Sequence, residues 1–307
     1  MEKFLVCLLL LCPLRVSAGI LADNVKRMVV FIYSADATGE ADKRKPLGTG
    51  FLITVPVRGT PNPMAGEANV QGVMLLITAR HILDPAWAYC STPQRDLVYL
   101  RVNTKGYEPL KDDSDGVAYV PLPLAKNGKP LYEVSDDSRI DAAVIEVGSV
   151  LVSSDRYDVR PMRLSVFASS GEIGNLKIGD SIFSAGLVPG KSGEKRNYPF
   201  FKFGNISNIP GESTWVGCAA ERPELRLERV WFIAANLVEG NSGSPIFFWR
   251  TLPDEEITRG ALIGVQSSAI GGADIAGMTP IEDVFKIIER HMPPGLDLFR
   301  GDETKRK

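Results

Sequence analysis

Histidine is nearly absent from this 307-residue sequence: there are two, His81 and His291. A basic excess is absent too. Thirty-five Lys and Arg against 37 Asp and Glu leave a formal net charge of −2, and with no long Lys/Arg cluster the electrostatic footprint of a nucleic-acid binder is excluded. No apolar run approaches the roughly 20 residues needed to span a bilayer; a leading one runs from Phe4 to Leu14. Helical periodicity is scarce. Of the four cysteines, Cys7 and Cys12 lie in that leading run, which leaves Cys90 and Cys218.

The first eighteen residues, "MEKFLVCLLLLCPLRVSA", place a lysine before the apolar core and Val16-Ser17-Ala18 after it. That is the layout of a secretory signal peptide with cleavage after about Ala18. Neither Cys7 nor Cys12 follows the small residue that a lipoprotein signal wants. The mature chain is therefore expected to be secreted or periplasmic, with no membrane span. Export permits a disulfide between Cys90 and Cys218; each is equally readable as a small buried hydrophobe.

What is present is a series of short β-type runs with turn residues between them: "MVVFIY", "GFLITV", "VMLLITA", "DLVYLRV", "AAVIEV", "SIFSAGL", "RVWFIAA", "PIFFW" and "ALIGVQSS". The pattern predicts an all-β sandwich or barrel pair. Ile281, Val284, Phe285 and Ile288 fall on one face of a helix in "IEDVFKIIERH", which predicts a terminal helix packed on the β body. The weakly patterned stretch 156–174 reads as a linker between residues 19–155 and 175–292, with a polar tail over 293–307. The stretches 58–69 and 250–260 read as hairpin loops.

One heptapeptide breaks the strand pattern. "EGNSGSP", residues 239–245, interrupts apolar runs with two glycines, an asparagine and two serines. These residues favour turns, and the same glycines would let a backbone approach a substrate closely around Ser242. A serine nucleophile needs a base whose pKa lies near the working pH. His81, in "LLITARHIL", follows an apolar strand, whereas His291 ends the helix, where a cation complements the helix dipole. The base needs an acceptor on its other ring nitrogen. Asp141 opens the strand "DAAVIEV"; Asp136 and Asp137 compete from the polar run before it.

These segments together resemble the trypsin-like (chymotrypsin-fold) serine proteases, in particular the protease domain of exported bacterial HtrA/Deg-type enzymes. "GTGFLIT" is similar to that family's Gly-Ser-Gly-Phe strand, "ITARHIL" to its Thr-Ala-x-His block and "DAAVIEV" to its Asp-(Leu/Ile)-Ala-Val strand. "GNSGSP" is similar to Gly-Asn-Ser-Gly-Gly-Pro, "FGNIS" to Gly-x-Ile-Ser, and "LIGVQSS" to the strand beside the substrate. The likeness extends over about residues 28–290, with the motifs in family order.

The resemblance implies two six-stranded antiparallel β-barrels with a C-terminal helix. His81 and Asp141 would come from the first barrel and Ser242 from the second. The backbone N–H groups of Gly240 and Ser242 would form the oxyanion hole, and Ser267 would support Asp141. Asn236, Ala269 and Gly277 would line the substrate pocket, and residues 266–269 would pair with a peptide substrate. The reaction would be peptide hydrolysis, with no metal or cofactor and with a protein or peptide as partner. A binding module that has lost activity, and an esterase on the same triad, are the alternatives.

Three departures from the family pattern stand out. Ser244 replaces its second glycine, as in flavivirus proteases. No PDZ-like segment follows "HMPPG", so HtrA-type regulation is not carried over. Asn236 stands where Arg/Lys-cleaving members have a carboxylate, which predicts an uncharged P1 side chain unless Glu239 or Asp274 reaches the pocket. Asn241, preceding the nucleophile, is an aspartate in zymogen members and pairs there with a freed amine; its neutral amide predicts activity without such cleavage. The sequon Asn205-Ile206-Ser207 lies in a predicted strand and reads as coincidental unless the source is eukaryotic.

Overall fold

A computed structural model describes residues 24–56, 72–84, 87, 95–108, 115–151, 155–219, 222–238, 240–251, 258–270 and 274–291. For residues 56, 217–219, 222–225, 250–251, 258–259, 270 and 291 only the backbone is described. The signal segment, Cys90, Glu239 and most of both predicted hairpin loops lie outside the described residues, as does the side chain of Cys218.

The first half is a sheet built from β1 (Val29–Ala35), β2 (Ala41–Pro56), β3 (Gly72–Thr78), β4 (Leu97–Asn103) and β5 (Val117–Pro123), then β8 (Tyr132–Val134) and β9 (Ala143–Glu146). Between them, β6 (Ala125–Lys126) and β7 (Lys129–Pro130) form a small separate ladder. The strands follow the order β5-β4-β1-β2-β3-β9-β8, and β10 (Met162–Arg163) joins β2 in parallel. The predicted strand runs of this half are all strands. The barrel closure is not made, however: among the described residues no ladder joins β5 to β8. Pro121 and Pro123 alternate along β5 and carry no N–H, a composition confined to edge strands.

The second half closes fully. Strands β11 (Ser181–Gly186), β12 (Phe200–Asn208), β15 (Trp231–Ala234), β16 (Pro245–Thr251), β17 (Thr258–Ile270) and β18 (Ile275–Pro280) form a barrel in the order β11-β12-β15-β18-β17-β16. Between β12 and β15 the chain makes a separate hairpin, β13 (Thr214–Ala219) with β14 (Arg222–Glu228). The fold is thus the chymotrypsin-like two-barrel plan, with the first barrel present as a curled sheet.

The apolar runs in the first half lack alternation because both faces of its sheet are covered. Val29, Phe31 and Tyr33 of β1 belong to a core shared with the second barrel, whereas Val30 and Ile32 belong to a core enclosed by the first sheet. Buried Arg101 on β4 also joins the halves. Its guanidinium donates to Asn197 Oδ1 (2.7 Å) and to the carbonyls of Gly193 and Glu194, while Asn197 Nδ2 returns a bond to the Arg101 carbonyl at 2.7 Å. The stretch 156–174 touches both halves, with β10 on β2 and Phe167 bridging to Leu262.

The terminal helix covers Ile281–Ile288 and buries the predicted stripe. Glu282 and Asp283 sit in its first turn, where carboxylates complement the dipole. Asp283 is buried and paired with Arg229 and Lys286.

Candidate active site

β3 ends at Thr78, and the chain turns into a single helical turn, Arg80–Leu83. Ile82 and Leu83 anchor this turn in the core, and an Arg80–Asp84 ion pair at 2.9 Å staples its outer side. His81 is thereby held at the end of a buried strand. Its Nδ1 lies 2.7 Å from Asp141 Oδ2, and its backbone N–H donates to Asp141 Oδ1 at 3.0 Å. One carboxylate therefore orients the ring and also satisfies a free N–H of the first helical turn.

Asp141 is 2% exposed, and Thr279 Oγ1 donates to its backbone carbonyl at 3.1 Å. The competing carboxylates are engaged elsewhere. Asp136 pairs with Arg290, while a hydrogen bond from Arg139 draws the Asp137 carboxyl down to about 2.

Ser242 occupies the turn between β15 and β16, directly against the His81 segment. Its carbonyl accepts from Thr49 N at 2.8 Å. A Cβ on Gly243 would come within 2.3 Å of Thr78 Oγ1 and 3.1 Å of Ala79 N, and the backbone there has φ +85°. Only glycine permits that approach. Thr49, fully buried, fastens the turn: its Oγ1 donates to the Gly240 carbonyl (2.9 Å) and accepts from Leu187 N (3.0 Å).

Within the turn, the N–H groups of Asn241, Gly243 and Ser244 donate to the carbonyls of Val238, Gln266 and Asn241. Those of Gly240 and Ser242 have no acceptor among the described residues. The two donors expected at an oxyanion hole are thus the two left open. Asn241 is 1% exposed; its Oδ1 accepts from Val238 N (2.9 Å) and Lys202 Nζ (3.1 Å), and its Nδ2 donates to Leu187 O (2.7 Å). Ser244 fits because Gly186 lacks a side chain: a Cβ there would lie 2.0 Å from Ser244 Oγ.

Ser267 does not make the expected bond. Its hydroxyl is buried near Gly277 with no hydrogen-bond partner among the described residues, and the carboxylate of Asp141 is already held by His81. Asn236 and Ala269 are exposed. The Asn236 carbonyl accepts from Lys202 Nζ at 2.5 Å. Gly277 is packed against Ser268 and Val230, so a side chain there would collide with both. Asp274 is exposed and takes φ +49°. Past Val265, β17 pairs with β18 but no longer with β16. The Gln266 backbone is taken up by Gly243 and Ser244, so the free edge begins after it. Asn205 is exposed, and its amide donates to Gly179 O at 2.8 Å.

Two residues invisible to motif reasoning complete the site. The β13–β14 hairpin carries Arg226 and Glu228, both buried. Arg226 donates to Trp87 O (2.6 Å) and Ser138 O (3.1 Å) and lies on the Trp87 ring, bridging the segments that follow His81 and precede Asp141. Burial, together with repulsion from Asp141, pushes the Glu228 carboxyl up to about 8, against the pull of Arg226 and His81. For His81, burial works to lower the pKa, but the charge and hydrogen bond of Asp141, helped by Glu228, outweigh it and the net shift is upward.

No family model matches the chain, and no curated protein matches it. Among solved structures it is similar to Rv3671c from M. tuberculosis. An inactive-form crystal structure of a serine-to-alanine mutant has 17% identity over 90% of this chain and 92% of that one, with a TM-score of 0.44. The inactive form of Rv3671c protease gives 17%, 90%, 94% and 0.42, and the active form 18%, 96%, 96% and 0.44. The fold described above stands on its own strand ladders.

Proposed function

We propose that the chain is a serine endopeptidase with Ser242 as nucleophile, His81 as general base and acid, and Asp141 as orienter. The observation that carries the reading is the doubly bonded His81–Asp141 pair with the Ser242 turn fastened to the same strand end. The His81 ring takes the Ser242 hydroxyl proton as Oγ attacks the scissile carbonyl carbon. The N–H groups of Gly240 and Ser242 receive the oxyanion. The C–N bond breaks as His81 returns the proton to the leaving amine, and water then hydrolyses the acyl-enzyme by the same route.

The free edge after Gln266 supports strand-like binding of a peptide. An ammonium bonded to the Asn236 carbonyl makes the pocket floor a poor host for a second cation, which supports an uncharged P1 side chain. Asn241, bonded on all sides within the fold, supports activity without an inserted amine. Export is proposed from the layout of residues 1–18.

The test is labelling by a fluorophosphonate probe alongside peptide and ester hydrolysis. Wild type should label and cleave peptides, and Ser242→Ala should lose on the order of 10⁴–10⁶ in kcat. Ester hydrolysis without peptide cleavage would favour an esterase; absence of labelling would favour a binding module.

A further inference from the structure

Lys202 lies on β12 opposite Ser184 of β11, in a family of contacts that no motif announces. Two residues on, and on the same face of the strand, Gly204 is crowded. A Cβ there would stand 2.1 Å from Ala234 O and 2.8 Å from Ala235 Cβ, so the chain entering the Ser242 turn lies directly on β12. The Lys202 side chain runs beside that crossing. Its ammonium reaches both Asn236 O (2.5 Å) and Asn241 Oδ1 (3.1 Å).

Those two acceptors flank the segment that presents the Gly240 N–H, and Asn241 adjoins Ser242. The Asn241 oxygen has two lone pairs; Val238 N fills one and Lys202 Nζ the other. The choice of lysine is costly. The side chain is half-buried, burial draws its pKa below the usual lysine range, and among the described residues no carboxylate pairs with it. An apolar residue would cover the same patch of strand without desolvating a charge. A cation retained there, bonded to two neutral oxygens of one loop, acts on that loop.

We propose that Lys202 is a positioning residue for the reaction: its ammonium ties Asn236 to Asn241 and so sets the shape in which Gly240 and Ser242 present their N–H groups. The proposal rests on the serine-peptidase reading above. Removing the ammonium leaves Asn241 Oδ1 with Val238 N and lets the exposed Asn236 carbonyl turn to water, so the fold survives while the loop loosens. Because oxyanion donors act in the transition state, the loss belongs in kcat.

The experiment compares wild type, Lys202→Met, Lys202→Arg and Lys202→Ala by fluorophosphonate labelling rate, peptide kcat and KM, and thermal melting. Lys202→Met should lose about 10–100-fold in kcat and labelling rate, with KM within about twofold and a melting temperature within a few degrees. Lys202→Arg, which keeps a cation, should retain more kcat than Lys202→Met. Labelling of Lys202→Ala should recover with propylammonium but not with sodium chloride at equal ionic strength. Wild-type kcat in Lys202→Met, a loss confined to KM, or equal recovery with either salt would overturn the proposal while leaving the nucleophile in place. A wild-type protein that does not label would remove the peptidase reading and the proposal with it.

Discussion

On one side of the site, His81 and Asp141 are held by charge. A carboxylate grips an imidazole and a backbone N–H, Arg226 bridges the flanking segments, and buried Glu228 stands beside them. The Ser242 side is held by neutral groups: the Thr49 hydroxyl, the Asn241 amide, glycines at positive φ and a lattice of backbone bonds, with Lys202 the one cation among the described residues. On the proposed serine-peptidase reading, the difference follows the tasks. The base must change protonation in each cycle, so its surroundings are electrostatic and respond to pH. The oxyanion donors must stay fixed, so their surroundings are bonded without titrating groups wherever possible.

The largest break in this comparison should come from Asp141→Asn. It keeps the shape but gives the ring nitrogen the wrong partner, and kcat should fall on the order of 10⁴, measured on a sensitive peptide. Thr49→Val attacks the neutral side. Gly240 O and Leu187 N each lose their partner, and kcat should drop roughly 10–100-fold with about 1–3 kcal/mol of stability; an unchanged pH profile beside that loss would sharpen the contrast.

Arg226→Met should cost about 2–4 kcal/mol, since it removes one member of a buried charged group. It should also move the acid limb of kcat/KM to higher pH, because the Arg226 cation works to lower the His81 pKa. Denaturant titration and a pH–rate profile check the two effects.

The smallest expected effect is that of Glu228→Gln. The folded carboxyl titrates at about 8 against an ordinary 4.5. Between those values the unfolded chain has released a proton that the folded chain keeps, so wild-type stability should fall as pH rises through that window. His81, raised above its ordinary 6.5, adds a slope of the same sign. Glu228→Gln should flatten the fall, being more stable than wild type by about 1–3 kcal/mol at pH 8 and little different at pH 5. Its acid limb should move little below pH 8, because the Glu228 carboxyl of the folded chain is already protonated and neutral there.

Much of this was legible in the sequence because it is local. The strand runs, the terminal stripe, His81 after its strand, Asp141 ahead of its own, and the glycines around Ser242 each announce themselves within ten residues. What escaped reading depends on chain distance or on disguise. Strand β14 carries charges at Arg222, Glu224, Arg226 and Glu228, a pattern that reads as a solvated loop although Arg226 and Glu228 are buried. Lys202 sits in "FFKFG" with no hint that Asn236 and Asn241 lie within reach. Ser267 falls in the expected place, yet its hydroxyl meets no acceptor among the described residues. The first barrel stays open at β5, where the two alternating prolines were the available signal.

Thr49 and Gly240 are 191 residues apart. Synthesis delivers the first half long before the turn that Thr49 must fasten, and domains emerging earlier fold earlier. Closing so long a loop comes at a cost in chain entropy that only the finished second barrel can repay. A nascent or half-folded chain therefore holds its histidine, aspartate and serine without an assembled oxyanion site. If the chain is the peptidase proposed above, the contact that completes the site also times it, keeping hydrolytic power out of the interval in which the chain itself is unfolded and easiest to cut.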